Sequence, residues 1–248
     1  MQIEFYEEFP NEQNLGKLAF TKFPSKIFIA AKSIEEFQRY ETIAKKYKKN
    51  IKIAYWPIIK NSYWISPFSN TKDLINLFSE LTKIKNDLLI DLELPLANKW
   101  GMYIKNIFSF RKNKRLIRNF LEQNKSRITT AEYPFAFVSK FMRLIGLNYN
   151  IHYERSIMFY SSMFSDKLNR TVKYNLRKIK NKSNYSISLG TIATGILGNE
   201  PLLTPENLEK DLKFVKESGF KKVIIFRLEG LNKEYIKVLN KFIKKNAN

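Results

Sequence analysis

The 248-residue chain has no cysteine and one histidine, His152, and both shortages remove whole classes of chemistry. Without cysteine there can be no disulfide scaffold, thiolate nucleophile, zinc–cysteine cluster or iron–sulfur site. A single histidine excludes two-histidine metal sites and allows a Ser-His-Asp triad only if His152 is its base. Acids are scarce as well, 23 Asp and Glu against 44 Lys and Arg, a formal charge of +21. Long apolar runs are missing, so no segment reads as a membrane span. The amino terminus, Met1 to Glu8, is acidic where a signal peptide would be basic and then apolar. A soluble cytoplasmic protein is the resulting expectation.

Apolar surface, by contrast, is plentiful: 44% of residues are hydrophobic and 15% aromatic, enough for a large core and too much for a disordered basic tail. A charge of +21 suggests nucleic acid or an anionic membrane as partner. Two features oppose that reading. Only 10 of the 44 cations are Arg, the residue that bidentate phosphate and base recognition favours. The abundance of Ile, Asn, Tyr and Phe also matches the compositional drift of an AT-rich genome, which enriches Lys without selecting for a partner.

Hydrophobic periodicity alternates short strand-like runs with longer amphipathic ones. Strands are expected at Ile3 to Glu8, Lys26 to Ala31, Ile51 to Trp56, Leu88 to Glu93, Arg127 to Tyr133, Ser156 to Ser161, Tyr185 to Gly190 and Lys222 to Leu228. Helices are expected at Ser33 to Lys49, Asn70 to Lys85, Asn98 to Gln123, Phe135 to Leu147, Pro205 to Ser218 and Asn232 to Lys245. A capping hydroxyl precedes early acids at Ser33-Ile34-Glu35-Glu36 and precedes Pro at Thr204-Pro205, while Gly219 is a natural stop. Eight strand–helix units in this length predict one (β/α)8 TIM barrel over residues 1–248. A doubly wound sheet would want a glycine-rich first turn, and the first turn here, Glu7-Glu8-Phe9-Pro10-Asn11, has no glycine.

Chemistry in such barrels lies at the carboxyl ends of the strands, and the acids of this acid-poor chain gather there. Strand 1 ends in Glu4, Glu7 and Glu8, strand 4 in Asp91-Leu92-Glu93, strand 5 in Glu132, and strand 8 in Arg227-Leu228-Glu229. Residues two apart share a face of a strand. With Ile3 and Phe5 turned toward the helices, Glu4, Tyr6 and Glu8 are expected inside; with Leu88, Ile90 and Leu92 outside, so are Asp91 and Glu93. On strand 8 the same test turns Ile224, Phe226 and Leu228 outward and Val223, Ile225, Arg227 and Glu229 inward. Any one acid could be an ion-paired layer residue. A cluster of carboxylates raises its members' pKa values and points to acid–base work. Aromatic residues flank the same end: Tyr55, Trp56, Tyr63, Trp64, Tyr133 and Tyr160, whose faces suit the C–H groups of a sugar, although each taken singly fits ordinary packing.

Asp91-Leu92-Glu93 on strand 4 and Met158-Phe159-Tyr160 on strand 6 resemble the chitinase-type glycoside hydrolases, (β/α)8 barrels with Asp-x-Glu and Met-x-Tyr at those places. The resemblance implies that Glu93 protonates the glycosidic oxygen, that Asp91 orients the substrate's N-acetyl group, and that Tyr160 helps to hold it. The family's two further upstream acids are Asn86 and Leu89 here, and the acid usual after Met-x-Tyr is Ser161. Glycosidic hydrolysis pairs a protonated carboxyl with an ionised one, and Glu132 and Glu229 are the candidates for the opposing carboxylate. The expected partner is a small carbohydrate or oligosaccharide, with no cofactor.

Three other readings compete. The loop Gly190-Thr191 to Gly198 holds three of the chain's eight glycines after strand 7, where barrels often bind phosphate; with Gly190 and Thr191 at its start, it makes an enzyme for a phosphorylated small molecule the alternative, with Lys32 as an imine candidate. A carboxylate-held Mg²⁺ needs no histidine and ranks below the sugar. The basic run at residues 109–118, preceded by Trp100, Tyr103, Ile104, Ile107 and Phe108, could make weak contact with anionic lipid or nucleic acid as a non-catalytic module. A solvated helix face whose apolar side covers the barrel is the simpler account of that run.

Overall fold

The computed structural model describes residues 1–60, 62–95, 100–134 and 139–243. Residues 98–99, 135–138 and 244–245, at the ends of three expected helices, lie outside the described residues. Eight parallel strands close into a barrel in sequence order: β1 (Gln2–Glu7), β2 (Lys26–Ala31), β3 (Lys52–Pro57), β4 (Asp87–Asp91), β5 (Ile128–Glu132), β6 (Glu154–Phe159), β7 (Tyr185–Gly190) and β8 (Lys222–Phe226), with β8 paired to β1. Around it run α1 (Glu12–Gly16), α2 (Ile34–Tyr47), α3 (Thr71–Leu81), α4 (Trp100–Asn106), α5 (Phe110–Gln123), α6 (Ser139–Leu144), α7 (Asp166–Lys178), α8 (Pro205–Glu217) and α9 (Lys233–Asn240). The (β/α)8 barrel is therefore present as the periodicity predicts.

Local chemistry accounts for the helix ends. Ser33 accepts from the Glu36 N–H at 3.2 Å while the Glu36 carboxylate accepts from the Lys32 N–H at 2.7 Å, a reciprocal cap on α2. Thr204 caps α8, Pro205 occupies its first turn, and Gly219 at φ +85° ends it. The expected helix from Asn98 is broken at Ile107–Ser109, a single tighter turn between α4 and α5. The helices α1 and α7 were not expected. The second is a strongly polar segment in which Val172 and Leu176 are the buried residues, so little apolar surface marks it.

Alternation along the strands separates two apolar layers. Ile3, Phe5, Leu88, Ile90, Val223 and Ile225 pack outward with helix residues such as Phe37, Leu74 and Leu212. Tyr6, Phe28, Trp56, Leu89, Met158, Ile224 and Phe226 fill the barrel. The expected orientation of strand 8 is thereby reversed. Its run Val223-Ile224-Ile225-Phe226 is apolar on both faces, so parity has no polar residue to decide by. The register decides instead, since Val223 lies beside Ile3 and Ile224 beside Glu4.

The amino-terminal end of the barrel is closed by ions. Lys222 pairs with Glu154 at 2.7 Å and with Glu4 at 3.8 Å, and Lys26 with Asp87 at 2.7 Å. Burial pushes the Glu4 carboxyl up to about 7, against the opposing pull of Lys222 and Lys26. A carboxyl that keeps its proton to higher pH when folded than when unfolded loses stability as pH rises from about 4.5 to 7, by at most roughly 3 kcal/mol for one group. Glu4→Gln should therefore match the parent near pH 5 and exceed it in stability near pH 8 by about 2 kcal/mol. Urea unfolding at both pH values checks this, and a parent whose stability is level between them would refute it. Lys222 keeps Glu154 as partner in the variant.

Among the described residues no helix is long and apolar enough to cross a membrane. Ile117, Phe120 and Leu121 of α5 are buried against the barrel, whereas Arg111, Lys112, Arg115 and Arg118 are exposed, so the basic run forms a solvated face.

Candidate active site

Strand alternation delivers the first three carboxylates. Leu89 and Asp91 point into the barrel on β4 and Glu93 follows one step beyond, while β1 carries Tyr6 and, just past its end, Glu8. These side chains open into a cavity of about 320 Å³ at the carboxyl-terminal mouth, walled by Trp56, Trp64, Tyr133, Tyr160, Met158 and Phe226. Tyr6, below, receives a hydrogen bond from Ser188 at 3.2 Å, and Ser188 bonds Ser156, so a polar layer spans the barrel floor.

The loop after β3 adds a tyrosine to the site. Tyr63 has φ 67°, a conformation costly for a bulky residue, and is held there by two backbone hydrogen bonds to Ile59 of 2.9 and 3.0 Å. The result is that its hydroxyl donates to Glu8 Oε1 at 2.7 Å. The Ile65 N–H donates to the Asp91 carbonyl at 3.0 Å and ties this loop to β4. On the other side, the Tyr133 hydroxyl donates to Glu93 Oε2 at 3.0 Å.

Four carboxylates thus meet in one apolar-walled cavity: Glu8, Asp91, Glu93 and Glu200, the last from the loop after β7. Burial pushes Glu8 up to about 7, opposed by the Tyr63 hydrogen bond and by Arg227. Glu93 is likewise pushed up to about 7 by burial, opposed by Tyr133 and by its hydrogen bond with Asp91. Asp91 rises well above the usual carboxylate range, first from burial and then from the charges of Glu93 and Glu8. Two carboxyls bonded to each other in a dry site retain a shared proton, because ionising both leaves like charges in contact. Glu8 Oε2 and Glu200 Oε2 are buried with no hydrogen-bond partner in the protein, while the Trp56 indole N–H acts on the Asp91 carboxyl and favours its charge.

Of the residues expected from sequence, Glu93, Asp91, Tyr160, Tyr6, Glu8, Trp56, Trp64, Tyr133 and Thr191 line this cavity. Six others are placed elsewhere. Glu132 lies on the outward side of β5, paired with Arg155 at 3.5 Å and bonded by Asn148 at 3.0 Å, because the pleat that turns Ala131 and Tyr133 inward turns Glu132 out. Glu229 follows β8 with its side chain 41% exposed and paired to Arg227. Arg227 is buried between Glu7 and Glu229, outside the pocket, as a consequence of the reversed β8 pleat. Glu4 points inward as expected but sits about 13 Å below Glu8, four residues earlier on the strand. Tyr55 is in the outer layer, stacked on Phe37 at 4.6 Å. Gly190 lies beneath the mouth, where a Cβ would meet the Phe226 carbonyl at 2.6 Å.

Sequence reasoning missed Glu200, Met158 as a wall, and Phe226; it counted Tyr63 among the aromatic residues of this end but not its bond to Glu8. Glu200 was within reach: it lies two residues past Gly198, in the loop already picked out for its glycines. That loop serves close packing rather than an anion cradle. Its Ile192 N–H is taken by the Phe226 carbonyl at 2.8 Å, its Leu197 N–H by Glu200 at 3.1 Å, and Thr191 Oγ1 donates to the Pro201 carbonyl at 2.7 Å. Lys32 is exposed just past the end of β2 and does not line the cavity, and His152 is exposed in the loop that enters β6. Among the described residues no three acids or histidines are grouped closely enough to hold a metal ion.

No family model matches the chain, and no curated protein matches it. Solved structures do match. The chain is similar to the PgaB (BpsB) glycoside hydrolase domain from Bordetella bronchiseptica, at 12% identity and a TM-score of 0.60 over 98% of this chain and 97% of that one. It is similar to a chitinase from Chromobacterium violaceum at 8% identity and 0.57, over 99% of each. It is also similar to the 3-keto-D-glucoside 4-epimerase YcjR from E. coli at 8% identity and 0.52, over 98% of each. Likeness at these identities establishes a shared barrel fold, and that fold hosts more than one reaction.

Proposed function

We propose that this barrel acts on a carbohydrate at its carboxyl-terminal mouth and cleaves a glycosidic bond with Glu93 as proton donor. The observation that carries the reading is the Asp91–Glu93 pair: two hydrogen-bonded carboxyls, both with raised pKa, in a cavity walled by aromatic rings. Near neutral pH Glu93, pushed up to about 7, keeps its proton in part of the molecules, beside an Asp91 carboxyl that is raised as well. Glu93 delivers that proton to the glycosidic oxygen as the bond to C1 breaks, and the positive charge developing on C1 and the ring oxygen is met by the charge left on the pair, or by a substrate N-acetyl oxygen that Asp91 orients. A water then adds hydroxyl to C1 and returns its proton to Glu93. Trp56, Trp64 and Tyr160 offer faces for the sugar ring, and Glu8 takes the place foreseen for Glu132 and Glu229 as a carboxylate from another strand. The fold likeness to a glycoside hydrolase domain and a chitinase agrees with this chemistry.

A phosphorylated substrate is disfavoured by the same geometry, since its charge would enter a cavity holding four acids and whose lining contains no Lys or Arg among the described residues. The test is release of reducing ends from a panel of oligosaccharides, measured beside Asp91→Asn. We expect the variant to fall at least 100-fold with its melting temperature within a few degrees of the parent. Parent protein inactive on every oligosaccharide, or Asp91→Asn at parental rates, would overturn the proposal.

A further inference from the structure

We infer that the sugar bound in this cavity carries a free, protonated amine, and that Glu8 and Glu200 are the residues that select it. The inference rests on the carbohydrate reading above and adds the charge of the substrate. In a chain with 44 cations and 23 acids, the residues lining the cavity include four acids and, among the described residues, no Lys, Arg or His. Arg227, the cation that acts on Glu8 from outside the lining, is already held by Glu7 and Glu229.

Two of the acids are arranged alike. Glu8 is anchored through Oε1 by Tyr63 and Glu200 through Oε1 by the Leu197 N–H, which leaves Oε2 of each buried and unpartnered. Their residues are 6% and 8% exposed, and both converge on the same glycine. A Cβ at Gly195 would stand 2.9 Å from Glu200 Oε1 and 3.0 Å from Glu8 Oε2, so these carboxylates lie within about 6 Å of each other, the range over which like charges disfavour one another's ionisation.

What relieves such a pair is a compact cation with several donors. An ammonium group has three N–H donors for acceptor-only oxygens, and the neighbouring rings of Trp56, Trp64 and Phe226 tolerate a cation on their faces. A neutral hydroxyl supplies one donor and no charge, and N-acetylation removes the charge altogether. A uronic acid or a sulfated sugar would be repelled. The matching ligand class is therefore an amino sugar with its nitrogen unacylated.

Trp56 and Trp64 line the cavity, so the full chain can be titrated by intrinsic fluorescence at pH 7 with four probes: the β-1,4-linked glucosamine disaccharide, its N-acetylated form, cellobiose and spermidine. The glucosamine disaccharide should bind at least tenfold more tightly than the other two sugars and than spermidine. Glu200→Gln should shrink that preference about tenfold while changing cellobiose affinity less than twofold, as expected when one charge-assisted hydrogen bond is lost. If Glu200→Gln does not fold, Glu8→Gln is read for the loss of amino-sugar preference alone, which should again be about tenfold. Equal affinity for the amino, N-acetyl and neutral sugars overturns this inference and leaves the carbohydrate reading intact. Spermidine binding as tightly as the glucosamine disaccharide, or no sugar binding at all, overturns both.

Discussion

Glu93→Gln is expected to lower turnover of a cleaved oligosaccharide by about 10³-fold, in the middle of the range that a positioned general acid contributes. Gln keeps the size of Glu and can still accept from the Tyr133 hydroxyl, so the fold should persist. What is lost is the proton, because an amide cannot protonate a leaving oxygen. The loss should appear in kcat with KM changed far less, since the proton moves only in the transition state. Parental activity should also decline above pH 7, as Glu93 loses the proton it donates, and the residual activity of Glu93→Gln should not follow that decline. A variant retaining more than a tenth of parental kcat would remove Glu93 from the role. A substrate whose leaving group needs no protonation should narrow the gap between parent and variant, a signature that a purely structural defect would not produce.

Gly230→Ala is expected to destabilise the protein by roughly 3 kcal/mol, the upper part of the range for overpacking, and to lose activity with it. A Cβ at this position would stand 1.8 Å from the Ile192 carbonyl oxygen and 2.4 Å from its carbon. Both are backbone atoms, so no side chain can rotate away. The loop after β7 would have to lift from the turn after β8, taking with it Thr191 and Gly195, which line the cavity. Denaturant unfolding should give a lower midpoint with little change in slope. A midpoint equal to the parent's would contradict the close approach of the two loops.

The strand and helix plan was legible because each signal is local. Ile3 and Phe5 against Glu4, Tyr6 and Glu8 on β1, and Leu88, Ile90 and Leu92 against Leu89 and Asp91 on β4, state the two-residue period within a few residues. Ser33 and Thr204 mark helix starts through bonds to N–H groups three residues on. The candidate site was legible in part for the same reason. Asp91, Glu93 and Glu8 were found because their strands carry a polar face and an apolar one, which is what parity needs.

The remainder depended on where strands lie relative to one another. Glu132 and Glu4 satisfy a tally of acids near strand ends, yet one is on the wrong side of its strand and the other at the wrong height. Both facts follow from register and pleat, which involve partners far away in sequence. Glu200 comes from a loop that approaches Glu8 across 192 positions of chain, and Tyr63 reaches Glu8 from a turn that no periodicity describes.

By itself, then, the amino-acid sequence determined that this chain forms eight strand–helix units, that they close into one barrel, and that a few acids stand at the strand ends in an otherwise cationic protein. Only the tertiary structure decided which acids share a cavity. On β8, apolar on both faces, the pairing of Val223 with Ile3 turned Ile224 and Phe226 inward and left Arg227 outside to pair with Glu7. Local pattern fixes a residue's face only when the two faces differ; where they do not, hydrogen-bond register with a distant strand chooses, and that choice kept Arg227 out of the mouth.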